Sequence, residues 1–158
     1  MARISQILRA LAMTTPPLKV LVLCTHNRCR SILFEAIARA EAGPEVIVHS
    51  AGSEPAGEVH PATLEALSRA GISTEGLCSE GWDRYEAWGP DVVITVCDRA
   101  AKEPCPLWLG QAQRLHWGLP DPSLLEGTAQ SQAFVEVIAA IRARLHDLTA
   151  LAATHPRR

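Results

Sequence analysis

The residues best suited to chemistry lie in VLVLCTHNRCRS, residues 20–31. Cys24 and Arg30 are separated by five residues, enough for the backbone to curl around a tetrahedral anion with several N–H groups aimed inward. Ser31 then leads into an apolar-periodic segment that reaches about Ala42 and ends at Gly43-Pro44. That pattern reads as a helix whose N-terminal dipole faces the same point. An oxyanion drawn there meets loop amides, a helix N-terminus and the planar, permanently charged fork of Arg30. The same surroundings favour thiolate over thiol at Cys24, which makes it a nucleophile at neutral pH.

Such a loop has to be held by a rigid frame, and the flanking patterns supply one. Val20 to Leu23 show no polar alternation, as expected of a parallel strand buried on both faces. Val46, Ile47 and Val48 form a second short strand running into Ser50-Ala51-Gly52, whose small residues permit close approach to the first loop; Ser50 is a candidate hydrogen-bond partner for Asn27. Pro61 to Ala70 reads as a scaffold helix closed by Gly71, with His60 in a surface or capping role. Asp91 to Cys97 is another continuous apolar strand and delivers Cys97 to the same sheet edge as Cys24. Beyond it, DRAAKEPCPLWLGQAQ reads as a loop or short broken helix with Cys105 between Pro104 and Pro106. Arg114 to Trp117 reads as a further strand, followed by Asp121 held between Pro120 and Pro122. A last helix from about Ser131 to Leu148 carries the stripe Phe134, Ile138, Ile141, Leu145 and Leu148. Strands alternating with helices indicate an α/β domain of three layers, α/β/α, around a mainly parallel sheet. Glu35 on this helix is a candidate support for the loop, although a charged residue four before Arg39 is more often half of a solvated helical pair.

Composition bounds the function. With 158 residues, 47% hydrophobic content and a formal charge of −2, the chain fits one domain over residues 19–152, an N-terminal extension over 1–18 and a loose tail over 153–158. We expect Met13 rather than Met1 to be the native start. The absence of basic blocks argues against a nucleic-acid partner, and no stretch approaches the roughly 18 apolar residues of a membrane span. Five cysteines spread through a chain of this length suit free or reactive thiols in the cytoplasm better than a secreted disulfide framework. Cys24, Cys29, Cys97 and Cys105 lack the paired spacing of structural zinc, so no metal is expected; Cys78 reads as an incidental thiol.

CTHNRCRS resembles the signature loop of low-molecular-weight protein tyrosine phosphatases and of the arsenate reductases built on the same fold. The likeness runs from Lys19 to the last helix and includes Ser50-Ala51-Gly52 and Asp121-Pro122. Cys24, Asn27, Cys29, Arg30 and Ser31 match position by position, while His26 stands where many members have glycine. The resemblance implies four central strands, oxyanion binding by Thr25, His26, Asn27, Arg28, Cys29, Arg30 and Ser31, and Asp121 as general acid. It leaves three functions open. The leading one is reduction of arsenate to arsenite through Cys24 and a thiol relay, from a Cys24–Cys97 to a Cys97–Cys105 disulfide. That reaction needs no bound cofactor, only an external thiol reductant, thioredoxin first and glutathione with glutaredoxin second. The alternatives are a phosphomonoesterase and a non-enzymatic oxyanion or redox sensor. Phosphatases of this family usually place aromatic residues after the Asp-Pro pair, whereas Ser123 and Leu124 follow here.

Overall fold

The computed structural model describes residues 15–157; most of the expected extension, and the question of Met13, lie outside the described residues. The chain forms β1 (Leu18–Leu23), α1 (Arg30–Glu41), β2 (Val46–Ala51), α2 (Pro61–Arg69), β3 (Val92–Thr95), α3 (Asp98–Lys102), β4 (Gln113–His116) and α4 (Gly127–Thr154). The strands make one four-stranded sheet in the order β2-β1-β3-β4, and every pairing is parallel. The apolar runs explain the order: β1 and β3, with almost no accessible side chains, occupy the middle, and the polar QRLH of β4 takes an edge.

Alternating side chains sort into two cores. Val20, Val22, Val92 and Ile94 pack with Leu33, Phe34, Leu67, Phe134 and Ile141 under α1, α2 and α4. Leu21, Leu23 and Val93 face the opposite way, against Tyr85, Leu109 and partly buried Trp82, Trp88 and Trp108. This second outer layer is thin, with 3-10 turns at Trp82–Tyr85 and Leu107–Gln111. Ile32, Leu33, Phe34 and Ile37 of α1 are almost wholly buried, each contributing about 2 kcal/mol of apolar burial. The loop therefore precedes the most firmly seated helix of the domain.

Three boundaries differ from expectation. β3 stops at Thr95 because Cys97 turns out of the strand to cap α3, its sulfur accepting from Ala100 N at 3.4 Å. The last helix extends at both ends, and Ala152 is still in the core. Consequently the tail is not loose over residues 153–157: the helix runs on to Thr154, and Arg157 donates to the carbonyls of Pro16 at 2.8 Å and Ala152 at 2.7 Å. Pro156 cannot continue the helix.

The chain leaves β1 for β2 on one side and later crosses to β3 on the other. Their carboxyl ends thus flank a topological switch point, where open α/β sheets bind ligands. Cys24 follows β1 there, and Cys97 closely follows β3.

Candidate active site

Between β1 and α1 the chain wraps a cleft of about 210 Å³ lined by Cys24, Thr25, His26, Arg28, Cys29, Arg30, Asp121, Ser123 and Leu124. A larger groove, of about 650 Å³, lies at the amino ends of the strands beside Pro16, Pro44 and Ala153 and holds none of the cysteines. The chemistry therefore belongs to the smaller one.

The loop's shape follows from where its carbonyls go. Thr25 O accepts from Glu54 N at 2.9 Å, His26 O from Ala56 N at 3.0 Å, and Arg28 O from His60 N at 2.9 Å. In a planar trans peptide the next N–H lies on the opposite edge. With those carbonyls held outward, the N–H groups of His26, Asn27 and Cys29 turn to the inside of the loop, as an oxyanion cradle requires. Close approach completes the fit: a Cβ on Gly52 would stand 2.4 Å from Thr25 O and 2.7 Å from Cys24 O, so Ser50-Ala51-Gly52 must end in glycine. α1 begins without a side-chain cap, leaving its first amides for a ligand.

A directed hydrogen-bond chain runs behind the sulfur. Asn27, fully buried and the only described non-glycine residue with positive φ, at 46°, donates through Nδ2 to Ser31 Oγ at 2.9 Å and Ser50 Oγ at 3.0 Å. Ser50 in turn donates to Glu35 Oε1 at 2.5 Å. Ser31 Oγ, which accepts from Asn27, lies 2.8 Å from Cys24 Sγ and is the donor to it whenever that sulfur is a thiolate, which has no hydrogen to give. The left-handed position falls on Asn27, which tolerates it, so His26 in place of glycine imposes no strain. His26 Nδ1 lies 3.1 Å from the Glu54 carbonyl, an acceptor only, so Nδ1 carries the proton.

Across the cleft, Asp121 has two roles at two oxygens. Oδ1 caps the Pro122–Leu124 turn, accepting from Ser123 N at 2.9 Å and Ser123 Oγ at 2.6 Å. Oδ2 stands 3.6 Å from Arg30 Nη2, while Arg30 Nη1 donates to Leu119 O at 3.1 Å. The geometry gathers a sulfur, a guanidinium and a carboxyl group around one tetrahedral-anion-sized space.

Residues 19–155 match the family described as low molecular weight phosphotyrosine protein phosphatase. The chain belongs to that family. It is 38% identical to an arsenate reductase of Bacillus licheniformis over 110 residues, covering 70% of this chain and 78% of that one. Among solved structures it resembles an arsenate reductase in the phosphate binding state, with TM-score 0.71 and 28% identity over 84% of this chain and 97% of that one. It also resembles a thioredoxin-dependent arsenate reductase of Corynebacterium glutamicum, with TM-score 0.66 and 31% identity over 89% of this chain and 64% of that one.

Within this phosphatase-family frame the five thiols are all free and unequal. Cys97 is buried in the same core as Cys24 and lies 3.8 Å from Thr25 Oγ1. Cys105 is half-buried and packs against the opposite core. Cys29 forms part of the cleft wall, and burial pushes its thiol up to about 12, against smaller lowering by a bond to Thr63 and the charge of Arg30. Exposed Cys78 stands apart, its sulfur bonded to Glu80 at 2.8 Å, which is the main reason its thiol rises to about 11. Among the described residues no group of three His, Cys, Asp or Glu side chains is arranged to hold a metal, and no helix is long and apolar enough to cross a membrane.

Three acidic residues support the site beyond what the sequence pattern favours. Glu35 is buried, not solvated: besides Ser50 it holds Arg39 at 2.5 Å, and its place one turn after Ser31 on α1 was the available signal. Glu80 supplies the backbone N–H that donates to Asn27 Oδ1 at 2.7 Å, a contact no side-chain pattern reveals. Glu103 accepts from Thr25 Oγ1 at 2.7 Å and from Ser53 Oγ. By contrast, His60 caps α2 as expected, accepting from Ala62 N at 3.0 Å, and Ser50 bonds Asn27 as expected.

Proposed function

We propose that this protein reduces arsenate to arsenite. The observation that carries the reading is the placement of the thiols: one in the anion loop, one buried behind Thr25 at the adjacent strand end, and one half-exposed on a proline-flanked turn. Phosphate-ester hydrolysis needs Cys24, Arg30 and Asp121 but leaves Cys97 and Cys105 without a role. Leu124, 79% exposed at the cleft rim, offers no aromatic wall for a phosphotyrosine ring.

Cys24 thiolate attacks arsenic(V), a sulfur–arsenic bond forms, and one arsenate oxygen leaves as water after protonation by Asp121. Arg30 and the inward amides hold the remaining oxygens. Cys97, as thiolate, then attacks Cys24 Sγ; a disulfide forms and the electron pair of the sulfur–arsenic bond stays on arsenic, which departs as arsenite. Cys105 attacks Cys97 Sγ, Cys24 leaves as thiolate, and the oxidised pair becomes Cys97–Cys105. An external dithiol supplies the two electrons that reset it. Thioredoxin is the favoured donor, supported by the thioredoxin-dependent relative; glutathione with glutaredoxin is the second candidate. A reducing cytoplasm suits five free thiols.

The test is parallel assay of wild type, Cys97→Ser and Cys105→Ser with arsenate plus thioredoxin, arsenate plus glutathione and glutaredoxin, and an aryl phosphate. Both variants should lose multiple-turnover arsenate reduction, and peptide mapping after one turnover should find Cys24–Cys97 in Cys105→Ser and Cys97–Cys105 in wild type. Sustained arsenate cycling by both variants would refute the relay and favour the phosphomonoesterase. Wild-type protein that binds arsenate without turnover would leave the sensor reading.

A further inference from the structure

Cys97 and Cys105 are separated by seven residues in sequence but pack against cores on opposite faces of the sheet. A disulfide requires their Cα atoms to come within about 7 Å, so the intervening segment must keep them in order before arsenate arrives and release them afterwards. Its apolar anchoring is slight: Ala100 is the only buried side chain of α3. Two of its polar tethers are exposed pairs, Asp98 with His116 Nε2 at 3.0 Å and Arg99 with Glu54 at 3.4 Å, and exposed pairs of this kind hold weakly.

Glu103 differs from both. Pro104 forces it out of the helix into an extended conformation, φ −70° and ψ 142°. There its carboxylate, 19% exposed, receives two hydroxyls from the active-site side: Thr25 at 2.7 Å on Oε1 and Ser53 on Oε2. Hydrogen bonds to a charged acceptor are about twice as strong as neutral ones. Thr25 has one hydrogen, and it is committed to Glu103; the contact with Cys97 at 3.8 Å therefore has the thiol as donor. One carboxylate thus orients Thr25, and through it Cys97, while tying down the turn that carries Cys105.

We propose that Glu103 is a positioning residue, a latch that keeps Cys97 behind the anion loop and Cys105 away from it until the Cys24–Cys97 bond has formed. Without the latch the two relay thiols meet early, and a two-electron oxidant such as a peroxide or a diazene, taking up their two hydrogens, couples them as Cys97–Cys105; resetting that bridge consumes reducing equivalents without reducing arsenate. The inference rests on the relay reading for its purpose, although the latch itself can be examined without arsenate.

The experiment uses the reduced full chain and diamide, a two-electron oxidant that takes two hydrogens as two thiols become a disulfide. Quenched samples are mapped for Cys97–Cys105 over time in wild type, Glu103→Gln, Ser53→Ala and Lys102→Ala. Glu103→Gln keeps the shape but replaces the charged acceptor, and should form the bridge about ten- to hundred-fold faster, the effect of losing one to two factors of ten in a charge-assisted bond. Ser53→Ala removes one of the two donors and should fall between Glu103→Gln and wild type. Lys102→Ala, on the same helix with its side chain exposed, should match wild type. Thermal melts identify any variant that fails to fold, in which case Ser53→Ala carries the test. Unchanged bridge formation in folded Glu103→Gln and Ser53→Ala overturns the latch, as does equal acceleration by Lys102→Ala. Failure of wild type to turn over arsenate would overturn the reductase reading and leave the diamide result standing.

Discussion

Asn27→Ala examines the centre of the site. The side chain is wholly buried and makes three hydrogen bonds, two donated to Ser31 and Ser50 and one accepted from Glu80 N. Each is worth about 1 kcal/mol net, and the buried partners have no water to turn to. Alanine also has to hold φ near 46°, which costs about 1 kcal/mol more for a residue without a short polar side chain. The expected loss is about 4 kcal/mol, a large share of the stability of a domain this size, and a fall in Tm of about 8 to 16 °C. Urea unfolding at pH 7 measures it, with an unchanged m-value showing that the compactness of neither state has moved. Activity should fall by about 10²-fold at least, because the Ser31 hydroxyl is no longer directed at Cys24. Ser50→Ala removes one of these bonds and frees one Glu35 oxygen, so its cost should be smaller. A loss below about 1 kcal/mol in Asn27→Ala, or a wild-type rate, would show that this chain of bonds does not set the loop.

Other outcomes follow from the same geometry. Cys24→Ser should abolish turnover with arsenate and aryl phosphate alike, and Arg30→Lys should be severe because an ammonium cannot replace a two-pronged guanidinium; near-normal rates in Cys24→Ser would remove it as nucleophile. Asp121→Asn keeps the cap on Ser123 but loses the transferable proton, so the chemical step should slow by about 10²- to 10⁴-fold with little change in binding; single-turnover rates decide. Cys29, raised to about 12 in the folded chain from an ordinary 9.0, stays a thiol at pH 8 and should escape iodoacetamide. The unfolded chain releases that proton first, so this contribution to stability is complete below about pH 9 and is lost as pH rises toward 12. Cys29→Ala should flatten that decline, and an equally steep slope would refute the assignment.

Several parts of this arrangement were legible before any coordinates because short-range physics dictates them. An unalternating apolar run must be a buried strand, so β1 and β3 were readable, and with them the edge that carries Cys24 and Cys97. Gly52 was readable because nothing larger fits 2.4 Å from a carbonyl. Of the polar supports, the Ser50–Asn27 bond was readable and the acidic residues behind it were not. Glu35 and Arg39 are four apart whether the pair is solvated or, as here, has one member buried; only the packing of α1 against β2, which brings Ser50 and His49 to Glu35, distinguishes the cases. The only local signal at Glu103 is Arg99 four residues earlier, at 3.9 Å, which reads as an ordinary helical pair, whereas its hydroxyl partners lie 78 and 50 residues away. The carboxyl end of α4 was hidden for a related reason: Leu151 is the one large apolar residue over 149–154 and gives a weak periodic signal, yet it and Ala152 pack with the core.

The same loop serves two chemistries across this family, and the proposed reading locates the difference beyond the loop. Once Cys24 is bonded to an oxyanion, the intermediate has two fates: water attacks the central atom and hydrolysis follows, or a thiol attacks sulfur and the central atom keeps an electron pair. Arsenic(V) accepts that pair and phosphorus(V) does not under these conditions, so the second fate requires both the right oxyanion and a thiol in reach. In the proposed relay that thiol is Cys97, held in the same buried core as Cys24 and 3.8 Å from the hydroxyl of Thr25, the residue immediately after Cys24. Cys24 and Cys97 are both buried, while the cleft that Cys24 lines has room for the oxyanion. On the proposed relay, specificity for reduction depends on whether a thiol can reach Cys24, and the proposed Glu103 latch sets when the next thiol arrives.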